Sequence, residues 1–248
     1  MFNRRDQAAQ SNRDLSQAQI DVGLRSYMHR VYSLMGLGVA LTGAIAFLVA
    51  SNQALAQLFI FSPLKWVFVA VWLGMGFFAG RIFFSNNQAL GQIAYWGFCV
   101  VGGILTAGII APFLWGVVAN GLTLLVQAFF IAAAMFLATS LYGYTTKRDL
   151  SGLGQFFFMA VIGIIIAGFA NFFFFQSGMF GFILSCVTVL LFAGITAYET
   201  QQIKHMYRAG MDQGLQDQAA VFGAYMLYGS FIVMFWNILS ILGFLNSE

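Results

Sequence analysis

A chain of 248 residues in which 60% are hydrophobic, 17% aromatic and only 8% charged cannot clothe itself against water, since a water-soluble domain carries about 25% charged residues. With 29 phenylalanines against 11 basic and 8 acidic side chains, the composition excludes a soluble globular protein and predicts an all-α membrane protein. The net charge of +3 does not point to nucleic acid, because the Lys and Arg residues sit in short clusters between apolar runs, as topology signals do.

The opening stretch, residues 1–30, is polar and carries Arg4, Arg5, Arg13, Arg25 and Arg30. No short apolar segment with a small-residue cleavage site follows it, so no removable signal peptide is expected. After it come seven apolar runs, each near the 20 or so residues that a bilayer core of about 30 Å demands of a helix. They cover residues 31–50, 64–84, 90–111, 122–142, 156–175, 179–198 and 222–244. Two parts are therefore expected: a polar N-terminal segment, 1–30, and a seven-helix transmembrane domain, 31–248. Polar punctuation separates the runs: "SNQ" from Ser51, Ser62-Pro63, "SNNQ" from Ser85, and Pro112, which is expected to end the third run. Asp149 or Ser151 is placed to cap the fifth.

Basic residues fall on alternate connections. The N-terminal segment, the fourth-to-fifth loop (Lys147, Arg148) and the sixth-to-seventh loop (Lys204, Arg208) hold nine of them, whereas the opposite connections hold only Lys65. The N-terminus is thus expected in the cytoplasm and the C-terminus outside. The "GFFAG" stretch, with Gly76 and Gly80, has the spacing that lets helices approach closely, but with 27 glycines in the chain it does not define a dimer. Cys99 and Cys186 lie inside apolar runs without a CxxC or Cys/His neighbour, so they read as packing residues, and His29 and His205 as interfacial ones.

Charges within or bordering hydrocarbon are costly and usually paired or functional. Two stand out. Arg81, in "FAGRIFF", sits near the cytoplasmic end of the second run, and Glu199, in "AYETQQIK", at the cytoplasmic end of the sixth. Arg81 reads either as a snorkelling anchor or as a partner for an acid. Glu199 reads either as a solvated helix-end acid or as an acid packed inside the bundle, where desolvation favours its neutral form and a nearby guanidinium its charged form. In the second case, Glu199 and Arg81 form a protonation-controlled gate. The last run places Ser230 and Asn237 on one face with Tyr228 nearby, a stripe expected to face protein or a cavity, with Gln127, Asn171 and Thr196 as available partners. No His and no second acid lies within the spans. No nucleophile–base set is visible, so the protein is not expected to be an enzyme or to hold a resident cofactor.

The stretch "MFLATSLYGYTTKRDLSGLGQFFFMAVIGIIIAGFANFF" from Met135 resembles the Bax inhibitor family, also called the transmembrane Bax inhibitor motif family, and its bacterial branch in particular. "RVYSLMGLGVALTGAIAFLVA" is similar to the family's first helix, and "AYETQQIK" to its Tyr-Asp-Thr-Gln segment. The likeness runs over nearly the whole chain from Arg25. It implies a seven-helix bundle with a central last helix, in a bacterial cytoplasmic (inner) membrane, and a pH-sensitive leak of calcium or other cations governed by a pair of aspartates. Glu199 stands where the first aspartate is expected. The segment expected to carry the second reads "LYGSFIV", with Ser230 in its place. Arg81 resembles the basic residue that ends the family's second helix. The resemblance with this departure implies one acid rather than a coupled pair, and only a weak, transient calcium contact at Glu199, since calcium takes six to eight oxygens. It also implies a second role, partnership with a membrane-bound ATP-dependent protease, for which the polar N-terminal tail would serve as a mobile handle.

Overall fold

The computed structural model describes residues 4–85, 87–208 and 210–246, with side chains described from residue 22 onward. The expected mobile tail over residues 2–24, on which the protease-partner reading depends, lies almost wholly outside the described side chains.

Seven long helices carry the chain: α1 (Arg4–Ser51), α2 (Leu64–Phe83), α3 (Gln88–Leu114), α4 (Gly121–Thr145), α5 (Gly154–Ala170), α6 (Gly178–Met206) and α7 (Gln213–Leu245). All seven are long and apolar enough to cross a membrane, α1 through its Val22–Ser51 portion and α5 together with the helical turns flanking it, Ser151–Phe175. Helix is the only local solution for such runs, because lipid offers nothing to hydrogen-bond a backbone amide. Sequence punctuation acts where caps are needed. Asn52, Asn87, Ser177 and Asp212 each accept a backbone N–H at the start of the helical segment that follows.

Three boundaries differ from expectation. Residue 30 is not a helix end, because α1 runs straight through it. Pro112 does not end α3, which continues to Leu114; the missing proline N–H removes one bond in the final turn, and the Trp115 N–H still reaches Ala111 O at 2.9 Å. Most consequentially, α6 continues seven residues beyond Glu199, to Met206. At 1.5 Å per residue this leaves Glu199 about 10 Å inside the helix rather than at its end.

Helix α7 packs against α1, α2, α3, α4 and α6, whereas α5 lies against α6 and has no buried residue along its length. The core of α7 is correspondingly continuous, from Ala219 and Ala220 through Leu227, Tyr228 and Met234 to Leu239. Small residues set the close crossings. A Cβ at Gly143 would fall 2.2 Å from Ala197 O, and one at Gly103 2.8 Å from Ile45 Cβ. Around Gly76 and Gly80, by contrast, nothing lies within 4 Å of a Cβ, so the "GFFAG" pair serves no contact within the bundle. Cys99 is completely buried, Cys186 half-buried, and both are free thiols.

Candidate functional site

Along α6, the buried residues Thr196, Ala197, Thr200, Gln201 and Ile203 recur at spacings of three and four, the signature of a helix face turned into protein. Glu199 shares a stripe with Thr196 and Ile203. On the facing helix, Gly223 lets Ile203 press close, for a Cβ there would meet Ile203 Cγ2 at 3.0 Å. Seven residues on, in the same stripe of α7, stands Ser230. With the backbones this near, a short side chain suffices, and Ser230 Oγ donates to Glu199 Oε2 at 2.6 Å. Ser230 is 2% exposed, while Glu199 is half-buried, and its Oε1 has no hydrogen-bond partner among the described residues. A hydroxyl-to-carboxylate bond of this length belongs to the stronger class of protein hydrogen bonds.

A chain of hydroxyls adjoins this contact. Ser140 Oγ of α4 lies 2.6 Å from Tyr32 OH of α1 and 2.9 Å from Thr200 Oγ1 of α6, and Thr200 also donates to Thr196 O. The next residue, Gln201, reaches the fourth-to-fifth loop. Its Oε1 accepts the Leu150 N–H at 2.8 Å and its Nε2 donates to Arg148 O at 2.7 Å. Lys204 donates to Tyr144 O at 3.0 Å. Thus Thr200, Gln201 and Lys204, in the stretch that one of the two readings of the sequence makes a solvated helix end, are spent on joining α6 to α4 and to the "TTKRDLSG" loop.

The predicted site residues divide. Glu199 and Ser230 are brought together. Tyr228, fully buried, turns to the other side of α7, where its hydroxyl lies 2.6 Å from Thr42 Oγ1 in a notch left by Gly102. Asn237 donates to Val233 O of its own helix. The expected partners do not serve either. Gln127 is exposed, Asn171 Oδ1 takes the Ser177 N–H, and Thr196 bonds back to Phe192 O.

Arg81 is exposed, and the expected Glu199–Arg81 pairing is not formed. The reason lies in helix geometry: Ala79 and Phe83 are the buried residues of that last turn of α2, and Arg81, two residues from each, points about 200° round the helix from them. Among the described residues the ion pair that does form is Arg30–Asp217, between α1 and the start of α7. Sequence reasoning missed it, along with Thr42, Tyr32 and Ser140. The available signal was the burial cost of hydroxyls in apolar helices, which names the residues but not their partners.

Nothing gathers around Glu199 that could hold a metal tightly: among the described residues no three His, Cys, Asp or Glu converge. The arrangement instead offers one carboxylate that can gain or lose a proton at the seam between the last two helices, with one oxygen tied to Ser230.

Comparison with known proteins is consistent across the chain. A protein of Rickettsia prowazekii is 34% identical over 232 residues, covering 90% of this chain and 91% of its own length. A membrane protein of Streptococcus pyogenes serotype M3 is 34% identical over 228 residues, with 91% and 95% covered. The inner membrane protein YbhL of Escherichia coli K12 is 30% identical over 224 residues, with 89% and 92% covered. Residues 24–247 match the family described as inhibitor of apoptosis-promoting Bax1. This multi-pass membrane protein therefore belongs to the Bax inhibitor family.

Proposed function

We propose that the protein allows a regulated leak of cations, calcium foremost, across a bacterial inner membrane, and that the protonation state of Glu199 controls it. The observation that carries this reading is the Ser230–Glu199 hydrogen bond. It joins α6 to α7, and α7 touches five of the other six helices, which supports its being the central rod of the bundle. A carboxylate can only accept from Ser230, whereas a carboxylic acid also donates and no longer attracts a cation. Changing that proton therefore changes both the contact on the central helix and the charge offered to an ion. A single acid does not satisfy calcium's six to eight oxygen ligands, and a contact that weak favours passage over retention. Basic residues on alternate connections support a cytoplasmic N-terminus and a C-terminus outside.

The test is flux into proteoliposomes carrying a trapped calcium dye, measured between about pH 6 and pH 8. Wild-type protein should leak calcium at a rate that depends on pH, and Glu199→Gln, similar in volume but not ionisable, should leak at a rate that does not. Leak no faster than from empty liposomes, or an unchanged pH profile in Glu199→Gln, overturns the proposal.

A further inference from the structure

At the opposite end of the bundle from Arg81, a cavity of about 570 Å³ lies between α2, α3, α5 and α7, within the range of about 300–1,000 Å³ typical of ligand sites. Its floor is aromatic. Trp72 and Trp236 line it, their rings 5.3 Å apart, and the Trp236 N–H is already committed to Thr106 Oγ1. Trp66 and Phe172, which also line it, meet edge to face at 5.7 Å. These two rings are 44% and 57% exposed, so this side of the cavity lies at the outer surface of the bundle, where lipid is expected.

Among the described lining residues, one carries a charge. Lys65, the second residue of α2, is exposed and holds its Nζ 5.7 Å from the Trp66 ring centroid. It has no carboxylate partner among the described residues. Apart from the Trp72 N–H, which is buried without a hydrogen-bond partner among the described residues, the walls are apolar, so a polar ligand would surrender most of its hydration there, while a methylene chain gains dispersion contacts without needing any directional partner. A lysine at a helix end reaches the interface by snorkelling, and the phosphate of an anionic lipid supplies a counter-charge at that depth.

We propose that this crevice binds one anionic glycerophospholipid from the surrounding bilayer, with an acyl chain on the tryptophan floor and the phosphate on Lys65. The proposal is independent of the reading of Glu199. Native mass spectrometry of the full-length protein in detergent, titrated with phosphatidylglycerol or with phosphatidylcholine of the same chains, tests it. One phosphatidylglycerol should be retained at about a five-fold lower lipid concentration than phosphatidylcholine, and Lys65→Gln should erase that preference.

Gly168→Phe should lower retention of both lipids. Gly168 lines the cavity, and a Cβ there meets nothing nearer than Leu184 Cδ2 at 4.0 Å, so the backbone accepts a side chain at this position without a clash at its first carbon. Thermal unfolding in detergent checks that each variant is folded. Equal retention of the two lipids by wild type, a preference that survives Lys65→Gln, or unchanged retention in folded Gly168→Phe overturns the assignment. So does a protein dimer that Gly168→Phe dissociates, which would give the crevice to a second copy.

Discussion

Gly143 of α4 and Ala197 of α6 meet backbone to backbone: a methyl group at position 143 would lie 2.2 Å from Ala197 O and 2.8 Å from its Cα. No rotamer relieves a clash with a main chain, so α4 and α6 would have to part. Glu199 lies two residues beyond Ala197, and Ser140, which bonds Thr200, lies three before Gly143. The crossing therefore sets the depth at which the acid is held. We expect Gly143→Ala to destabilise the protein by about 1–3 kcal/mol, measured by unfolding in detergent, whereas Gly76→Ala, with nothing within 4 Å, should be neutral or slightly stabilising. Equal effects at the two positions would remove the argument.

Gln201 is 4% exposed and clasps the loop from both sides, through Leu150 N–H and Arg148 O. Truncation leaves a main-chain donor and acceptor without their partner, at about 1–3 kcal/mol if water does not reach them. Gln201→Ala should therefore speed hydrogen exchange at the Leu150 amide and loosen the "TTKRDLSG" loop while α7 stays protected. Gln201→Glu keeps the acceptor and loses the donor, so it should retain Leu150 protection. Unchanged Leu150 exchange in Gln201→Ala would show that the clasp does not hold the loop.

This clasp also shows where the sequence stops being informative. Seven spans are readable because length and hydropathy are properties of single segments. Glu199 is readable as unusual for the same reason. Its depth is not, because Thr200, Gln201 and Lys204 have the composition of a solvated helix end and are buried or half-buried only because α4 and the loop satisfy them. Pairing is a property of two segments, and one sequence does not carry it. Ser230 is readable as a hydroxyl in need of a partner, but in the residues themselves only shared membrane depth links Arg81 to Glu199. Depth says nothing about azimuth, and Arg81 points away from the face that Ala79 and Phe83 bury.

Asp149 gives a pH-dependence whose sign can be worked out. The Ser151 N–H, 2.9 Å from its Oδ1, holds the carboxyl below the usual aspartate range, with the Ser151 side chain as a further cause. A carboxyl depressed in the folded state stabilises the fold at pH values above its unfolded pKa of about 3.9, and that stabilisation is lost as the pH falls through the folded value. Asp149 is fully solvated, so the effect is local to the turn that opens α5. A carboxyl-detected NMR titration should place Asp149 below an unstructured aspartate. Ser151→Ala should return only part of the shift, since the backbone donor is the larger cause and survives the substitution. A full return would assign the effect to the hydroxyl instead.

Arg30 and Asp217 form the ion pair between α1 and the first turns of α7, and their side chains are 46% and 28% exposed. Solvent screens a pair this open, and ordering two side chains costs entropy, so its worth should be about 0–1 kcal/mol. Its position argues for a larger effect on geometry than on stability, because it ties the N-terminal end of α7 to α1 while Ser230–Glu199 ties the middle of α7 to α6. If the lower contact helps to fix how far α7 can move when Glu199 changes protonation state, Asp217→Asn should leave the unfolding midpoint in detergent nearly unchanged and yet alter the amplitude of pH-dependent calcium flux. High salt should mimic the substitution in wild type and have no further effect on Asp217→Asn. A double-mutant cycle with Arg30→Gln and Asp217→Asn separates the pair from its neighbours. Additive flux effects across that cycle would show that the two residues act separately and that the pair does not restrain α7.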